Sequence, residues 1–248
     1  MISIKILAVS TWAGCLPSAS AVIMLGLMTS AWQIEERVRS LLAKLPPGVT
    51  LLAAVKGRSP DQVQAVLRAG IRHLGHNYVQ EAASSWQQLG RVGACWHLIG
   101  HLQRNKVKRA LELFDQIDTV DSERLAQELD RACAATGRRL DVLIEVNSAR
   151  EENKTGADPL EVPRLARSID SLQHLRLCGL FTMGPFGPDR ERLRQAFRLT
   201  RGLFDELKVG RPDFIQLSMG MSDSWELALE EGANVIRLGT ALFGPRPT

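Results

Sequence analysis

One lysine stands where a core-like strand ends. In "LLAAVKGRSP", residues 51–60, apolar residues run straight into Lys56, and Gly-Arg-Ser-Pro then breaks the run. Lysine is among the residues least often fully buried, so Lys56 either reaches solvent or is held at the strand end as a nucleophile. Partial burial favours the neutral amine, the form that attacks a carbonyl carbon. Far along the chain, "LSMGMSDS" and "RLGTALFG" bring a second chemistry. Ser218, Gly220, Ser222, Gly239 and Thr240 offer hydroxyls and backbone N–H groups, and Arg237 adds a fixed positive charge. Glycine turns and helix starts attract phosphate because free N–H groups and the helix dipole point at it. Each stretch alone is also ordinary: a solvated lysine, and small residues of turns.

The elements that must position these residues alternate along the chain. Apolar residues at helical spacing over 32–45 give way to "PPG" and then to a short apolar run at 49–55. Ser59 and Pro60 open a helix that closes on Gly70. The pattern predicts further strands at 72–75, 96–100, 116–120, 140–147, 175–183, 213–219 and 234–239. Between them it predicts helices over 78–89, 103–114, 123–137, 159–169, 189–207 and 223–232, with Asp121 or Ser122 capping the one at 123. Eight strands alternating with helices imply parallel βαβ units closed into a single (β/α)8 barrel. "TALFGPRPT" is too short for a last helix, so the helix before the first strand is expected to fill that place.

Composition sets the class. At 248 residues, 45% apolar and 23% charged, the chain suits one soluble domain. Net charge of +4 permits an anionic ligand without demanding nucleic acid. Four separated cysteines, Cys15, Cys95, Cys133 and Cys178, form no CxxC pair and are expected to be reduced packing residues of a cytoplasmic protein. The N-terminal segment superficially resembles a secretory signal, but its positive region is thin and a second apolar run, 22–27, follows the small residues. Ser30 and Gln33 fit a capping box that would open the first helix. Residues 1–28 are therefore expected to be an extension outside the fold, with translation starting at Met28, and residues 29–248 to be the barrel domain.

In such barrels the site gathers on loops after the strands, with phosphate held after strands 7 and 8. The strand ends deliver Lys56, His76-Asn77, His101, Glu145, Asn147, Met183-Gly184 and the two small-residue loops. A lysine opposite a phosphate cup suggests pyridoxal 5′-phosphate (PLP) held as a Schiff base, with Asn77 and Met183 against its ring. "AAVKGRSPDQVQAVLRAGIRHLGHNYVQEA", "WHLIGHLQRNKVK", "IEVNSAREENKTG", "GLFTMGPFG" and "LSMGMSDSWELALEEGANVIRLGTALFG" occur in order across residues 32–246. Together they resemble the pyridoxal phosphate homeostasis protein family, which is related to the N-terminal barrel of alanine racemase.

The resemblance implies PLP on Lys56 and phosphate contacts from Ser218, Arg237, Gly239 and Thr240, with Arg237 facing either the phosphate or the pyridine nitrogen. It also implies a role in vitamin B6 and amino-acid or keto-acid balance without catalytic turnover. Two positions depart from the family's pattern. Gly57-Arg58-Ser59 replaces a Thr-x-Pro type of sequence, and His76 stands where the family usually has Glu. Both lie where cofactor release would be set, and both make anionic partners more plausible.

Other functions fit less well. A PLP-dependent racemase needs a second acid/base opposite the lysine, and Tyr78 is the only tyrosine. A cofactor-free Schiff-base aldolase leaves the phosphate cup unexplained. "QRNKVKR" spreads its charges around a helix with no aromatic residues interleaved, so no nucleic-acid partner is expected. No membrane partner is expected either. His97 and His101 share a strand face but lack a third ligand, so no metal is expected; a buried or hydrogen-bonded histidine pair fits better. Cys95 and Cys178 are expected in the core. The expected protein is a monomer whose cofactor lies near solvent and exchanges with PLP-dependent apo-enzymes.

Overall fold

The computed structural model describes residues 19–91, 93–151, 155–185, 187 and 189–245, residues 19–30 by their backbone alone. Eight parallel strands close into a barrel in sequential order: β1 (Thr50–Ala54), β2 (His73–His76), β3 (Cys95–Leu98), β4 (Gln116–Val120), β5 (Leu140–Glu145), β6 (Leu175–Phe181), β7 (Gln216–Ser218) and β8 (Val235–Leu238). Around them run α1 (Ala19–Leu42), α2 (Pro60–Arg68), α3 (Val79–Leu89), α4 (Val107–Leu113), α5 (Glu123–Ala134), α6 (Val162–Asp170), α7 (Arg190–Lys208), α8 (Trp225–Glu230) and α9 (Thr240–Phe243). The barrel closes where β1 pairs with β8, Leu52 lying opposite Arg237.

Side-chain caps open three of the helices. Ser59 caps α2 through a reciprocal box with Gln62, Ser122 accepts from the Leu125 N–H to open α5, and Asp189 accepts from the Arg192 N–H to open α7. One expectation is corrected. α1 runs without a break from Ala19, so Ser30 lies inside the helix and not at its start. As expected, no full helix follows β8: the chain forms a single turn, α9, and α1 packs against it, burying Ile34 and Val38 on the barrel. Residues 1–18, with Cys15 and most of the expected extension, lie outside the described residues. Among the described residues no helix is long and apolar enough to cross a membrane.

Alternation along the strands divides the core. Outward-facing Leu74, Trp96, Leu98, Ile117 and Val142 pack under the helices. Inside the barrel Leu52, Ile99, Leu143, Cys178 and Phe181 form a separate apolar layer. Polar residues lie on either side of that layer. At the N-terminal end of the strands Gln116 donates to Asp118 at 2.9 Å and to Gln216 at 2.8 Å, and His97 lies 3.2 Å from Asp118. At the C-terminal end stand Arg237 and Glu145.

Candidate functional site

Lys56 follows β1 at the C-terminal rim and is half-buried. Its Nζ donates to the Tyr78 hydroxyl at 3.4 Å and lies 4.9 Å from the centre of that ring. The Gly57 N–H donates to the Glu81 carboxylate, which fixes the turn just past the lysine. Asn77 is placed by a close approach of backbones: a Cβ on Gly100 would come within 2.2 Å of the Asn77 carbonyl oxygen. Only glycine lets the end of β3 lie this near.

Arg237 points into the barrel and is 3% exposed. Its guanidinium donates to Ser218 Oγ and to the Thr182 carbonyl, each at 2.8 Å, and stacks 4.0 Å above the Phe181 ring. Burial pushes its pKa down to about 10, against the opposing pull of Asp118 and Glu145, so the charge persists at neutral pH. Glu145 Oε1 accepts from the Thr155 hydroxyl, while Oε2 has no hydrogen-bond partner among the described residues. Burial raises this carboxyl's pKa.

The loop after β7 ties itself to the end of β8. Ser222 Oγ accepts from the Gly239 N–H at 3.1 Å and from the Ala241 N–H at 3.2 Å, and Ser224 Oγ accepts from the Met221 N–H. These bonds hold the turn from which Thr240 is presented. Arg58 reaches across to donate to the Gly244 carbonyl at 2.9 Å and lies over the Phe243 ring, joining the β1 loop to α9.

A cavity of about 370 Å³ is lined by Lys56, Asn77, Met183, Arg237, Gly239 and Thr240, together with Ala54, Arg58, Ile99, Met221, Ser222 and Asp223. Six of the eight residues expected to hold the cofactor, and Ser222 of the small-residue loop, thus share one cavity. Ser218 and Gly220 lie outside its lining. Ser218 is fully buried and holds Arg237, while Gly220 turns the chain at φ +91°. Ile99 and Asp223 escape a motif-based reading: Ile99 needs the phase of β3, and Asp223 sits in "MSDS", where hydroxyls draw attention. A smaller cavity of about 240 Å³, lined by Glu145, Asn147, Thr155 and Thr182, meets the first at Met183 and Met221.

The histidines are arranged otherwise than expected. His76 does not reach the mouth. It is 1% exposed, stacked on Trp96 with centroids 4.8 Å apart, and neither ring nitrogen has a partner among the described residues. Burial holds its pKa down at about 4, so it brings no charge to an anion. His97 pairs with His73, ring nitrogens 2.9 Å apart, whereas His101 lies on the loop beside Asp121 at 3.5 Å. Cys95 is only partly buried, at the opposite rim, while Cys178 is in the interior apolar layer as expected.

Residues 30–247 match the family described as alanine racemase, N-terminal domain. The pyridoxal phosphate homeostasis protein of Escherichia coli is 38% identical over 223 residues, covering 86% of this chain and 94% of its own. The solved structure of PipY from Synechococcus elongatus with PLP bound is 38% identical and superposes with a TM-score of 0.76, covering 85% of this chain and all of PipY (100%). An alanine racemase from Clostridium difficile, 15% identical, shares the fold with a TM-score of 0.73, covering 89% of this chain and 61% of the racemase.

Proposed function

The chain belongs to the pyridoxal phosphate homeostasis protein family, built on the alanine racemase N-terminal domain, and on that premise we propose that it binds PLP and serves vitamin B6 homeostasis without catalytic turnover. The observation that carries this reading is the single cavity in which Lys56, Arg237, Gly239 and Thr240 meet at the C-terminal rim. Its donor set suits PLP: a primary amine for the aldehyde, amides and hydroxyls for the phosphate, and a buried guanidinium for the ring. When bound, PLP supplies an aldehyde and an electron-withdrawing ring that stabilises negative charge on the carbon next to an attached amino nitrogen.

Lys56 Nζ is the atom we assign to covalent Schiff-base attachment, and Tyr78 orients it. Gly239, Thr240 and Ser222 would hold the phosphate. Arg237, fixed by Ser218 and Thr182 inside the barrel, would meet the pyridine nitrogen. Asn77 and Met183 would bound the ring. Ser218 and Gly220 then act one layer behind, through Arg237 and the loop. The domain is taken as 29–248, since the family match begins at residue 30.

Homeostasis rather than racemisation is favoured by the position of Tyr78. The only tyrosine of the chain stands with its hydroxyl against the lysine amine, so it is not an acid/base on the opposite face. Tyr78 and Met183 are 53% and 39% exposed, which leaves a bound cofactor open to exchange. We infer that the protein passes PLP to apo-enzymes, acting as a cytoplasmic monomer. Loaded protein mixed with an apo-enzyme that requires PLP is expected to restore that enzyme's activity. No restoration, either direct or through the free pool, would refute the carrier role. A protein that stays colourless with added PLP would refute binding itself.

A further inference from the structure

At the N-terminal rim, away from Lys56, three donors converge that the cofactor reading does not use. His73 and Cys95 begin β2 and β3 and lie directly opposite each other in the ladder. His97 follows Cys95 by two residues and so shares its face. One ligand atom from each of the three lies within 4.8 Å of the others. The imidazoles are tilted by 53° with Nδ1 of His73 and Nε2 of His97 2.9 Å apart, so the ring nitrogens point at one another.

We propose that His73, Cys95 and His97 bind a borderline-soft divalent cation, zinc before others. Two imidazoles and a thiolate select Zn²⁺ or Co²⁺ over Mg²⁺ and Ca²⁺, which take oxygen ligands. The surroundings of His97 match what a ligating histidine requires. Its second nitrogen, Nδ1, lies 3.2 Å from Asp118 Oδ1, and Gln116 fixes that carboxylate by donating to the same oxygen at 2.9 Å. A carboxylate behind the ring sets the tautomer and aims Nε2 at the metal. His97 and Asp118 are 3% and 1% exposed, so this half of the site is built into the barrel. His73 and Cys95 are partly exposed and give the ion a path from the rim.

Tetrahedral bonds of roughly 2.0–2.3 Å place donor atoms about 3.3–3.8 Å apart. The two nitrogens must open slightly, and the rim side chains His73 and Cys95 are the ones free to adjust. As the metal–sulfur bond forms, the thiol proton leaves to solvent, and the proton that His73 Nδ1 shares with His97 Nε2 moves to the outer nitrogen of His73, so both facing nitrogens offer lone pairs. Water completes the fourth position. Asp118 is a positioning residue here, since it reaches the metal only through His97.

The test is a titration of the chelator-treated full chain with Co²⁺, followed by displacement with Zn²⁺. One equivalent is expected to produce thiolate-to-cobalt charge-transfer absorption and the intense visible bands of a tetrahedral site. Cys95→Ser should abolish the charge-transfer band, and His73→Gln should weaken binding at least about 100-fold, with circular dichroism and PLP uptake unchanged. Asp118→Asn should keep the band while weakening binding by roughly 10- to 100-fold. Cys15→Ser should change nothing. Absence of a charge-transfer band, or its survival in Cys95→Ser, would overturn the proposal and leave a hydrogen-bonded polar plug.

Discussion

Arg237 is the residue on which the interior depends most. It is a buried charge held by one hydroxyl, one carbonyl and an aromatic face, and it faces the field of Asp118 and Glu145. Removing one side of such a buried arrangement leaves the rest uncompensated. Arg237→Met is expected to lower the unfolding free energy by about 3 kcal/mol, read from urea denaturation. A loss under about 1 kcal/mol would show that the guanidinium serves ligand binding alone. The sequence placed Arg237 and Ser218 together at strand ends but left their roles merged. Side chains alternate at a period of two, so a residue's face depends on the phase of its strand. The phase that turns Arg237 toward the cavity also buries Ser218 beneath it. His76 was misread for the same reason: the alternation that points His73 inward turns His76 out against Trp96.

At the scale of elements, all eight strands and the helices between them were legible, because each carries its own period and its own punctuation. The failure was at α1. Residues 19–29 are mostly Ala, Leu, Met, Ile and Val with a single Gly26, and Ala, Leu and Met rank among the better helix formers. The helix therefore runs through the cap signal at Ser30, since a capping residue only ends a helix that has nothing helical before it. The loop after β7 offers a sharper test. Gly220 sits at φ +91°, and a Cβ there would meet the Ala228 Cβ at 2.6 Å and the Trp225 Cα at 3.0 Å. Gly220→Ala is expected to cost about 2 kcal/mol, from both the left-handed backbone and the clash. For a chain of this size that lowers Tm by roughly 4–8 °C. An unchanged Tm would mean that the loop relaxes freely and does not hold Gly239 and Thr240 in place.

For the whole molecule, a neutral histidine buried between the sheet and the helices contributes to its behaviour in acid. His76 has a folded pKa of about 4 against about 6.5 when unfolded. Between those values the unfolded chain binds the extra proton, so stability falls as the pH drops from 6.5 to 4 and is fully present above 6.5. The full window amounts to about 3 kcal/mol. His76→Phe keeps the stacking on Trp96 but cannot titrate. Its unfolding free energy should fall less than the parent's between pH 7 and pH 4.5, and equal losses would exclude His76 as the cause. Cofactor binding itself centres on Lys56. Borohydride reduction of the PLP-loaded protein, followed by peptide mass spectrometry, is predicted to place a reduced phosphopyridoxyl group on the peptide containing Lys56 and to find none in Lys56→Ala. The same group on a different lysine, or on none, would contradict the account.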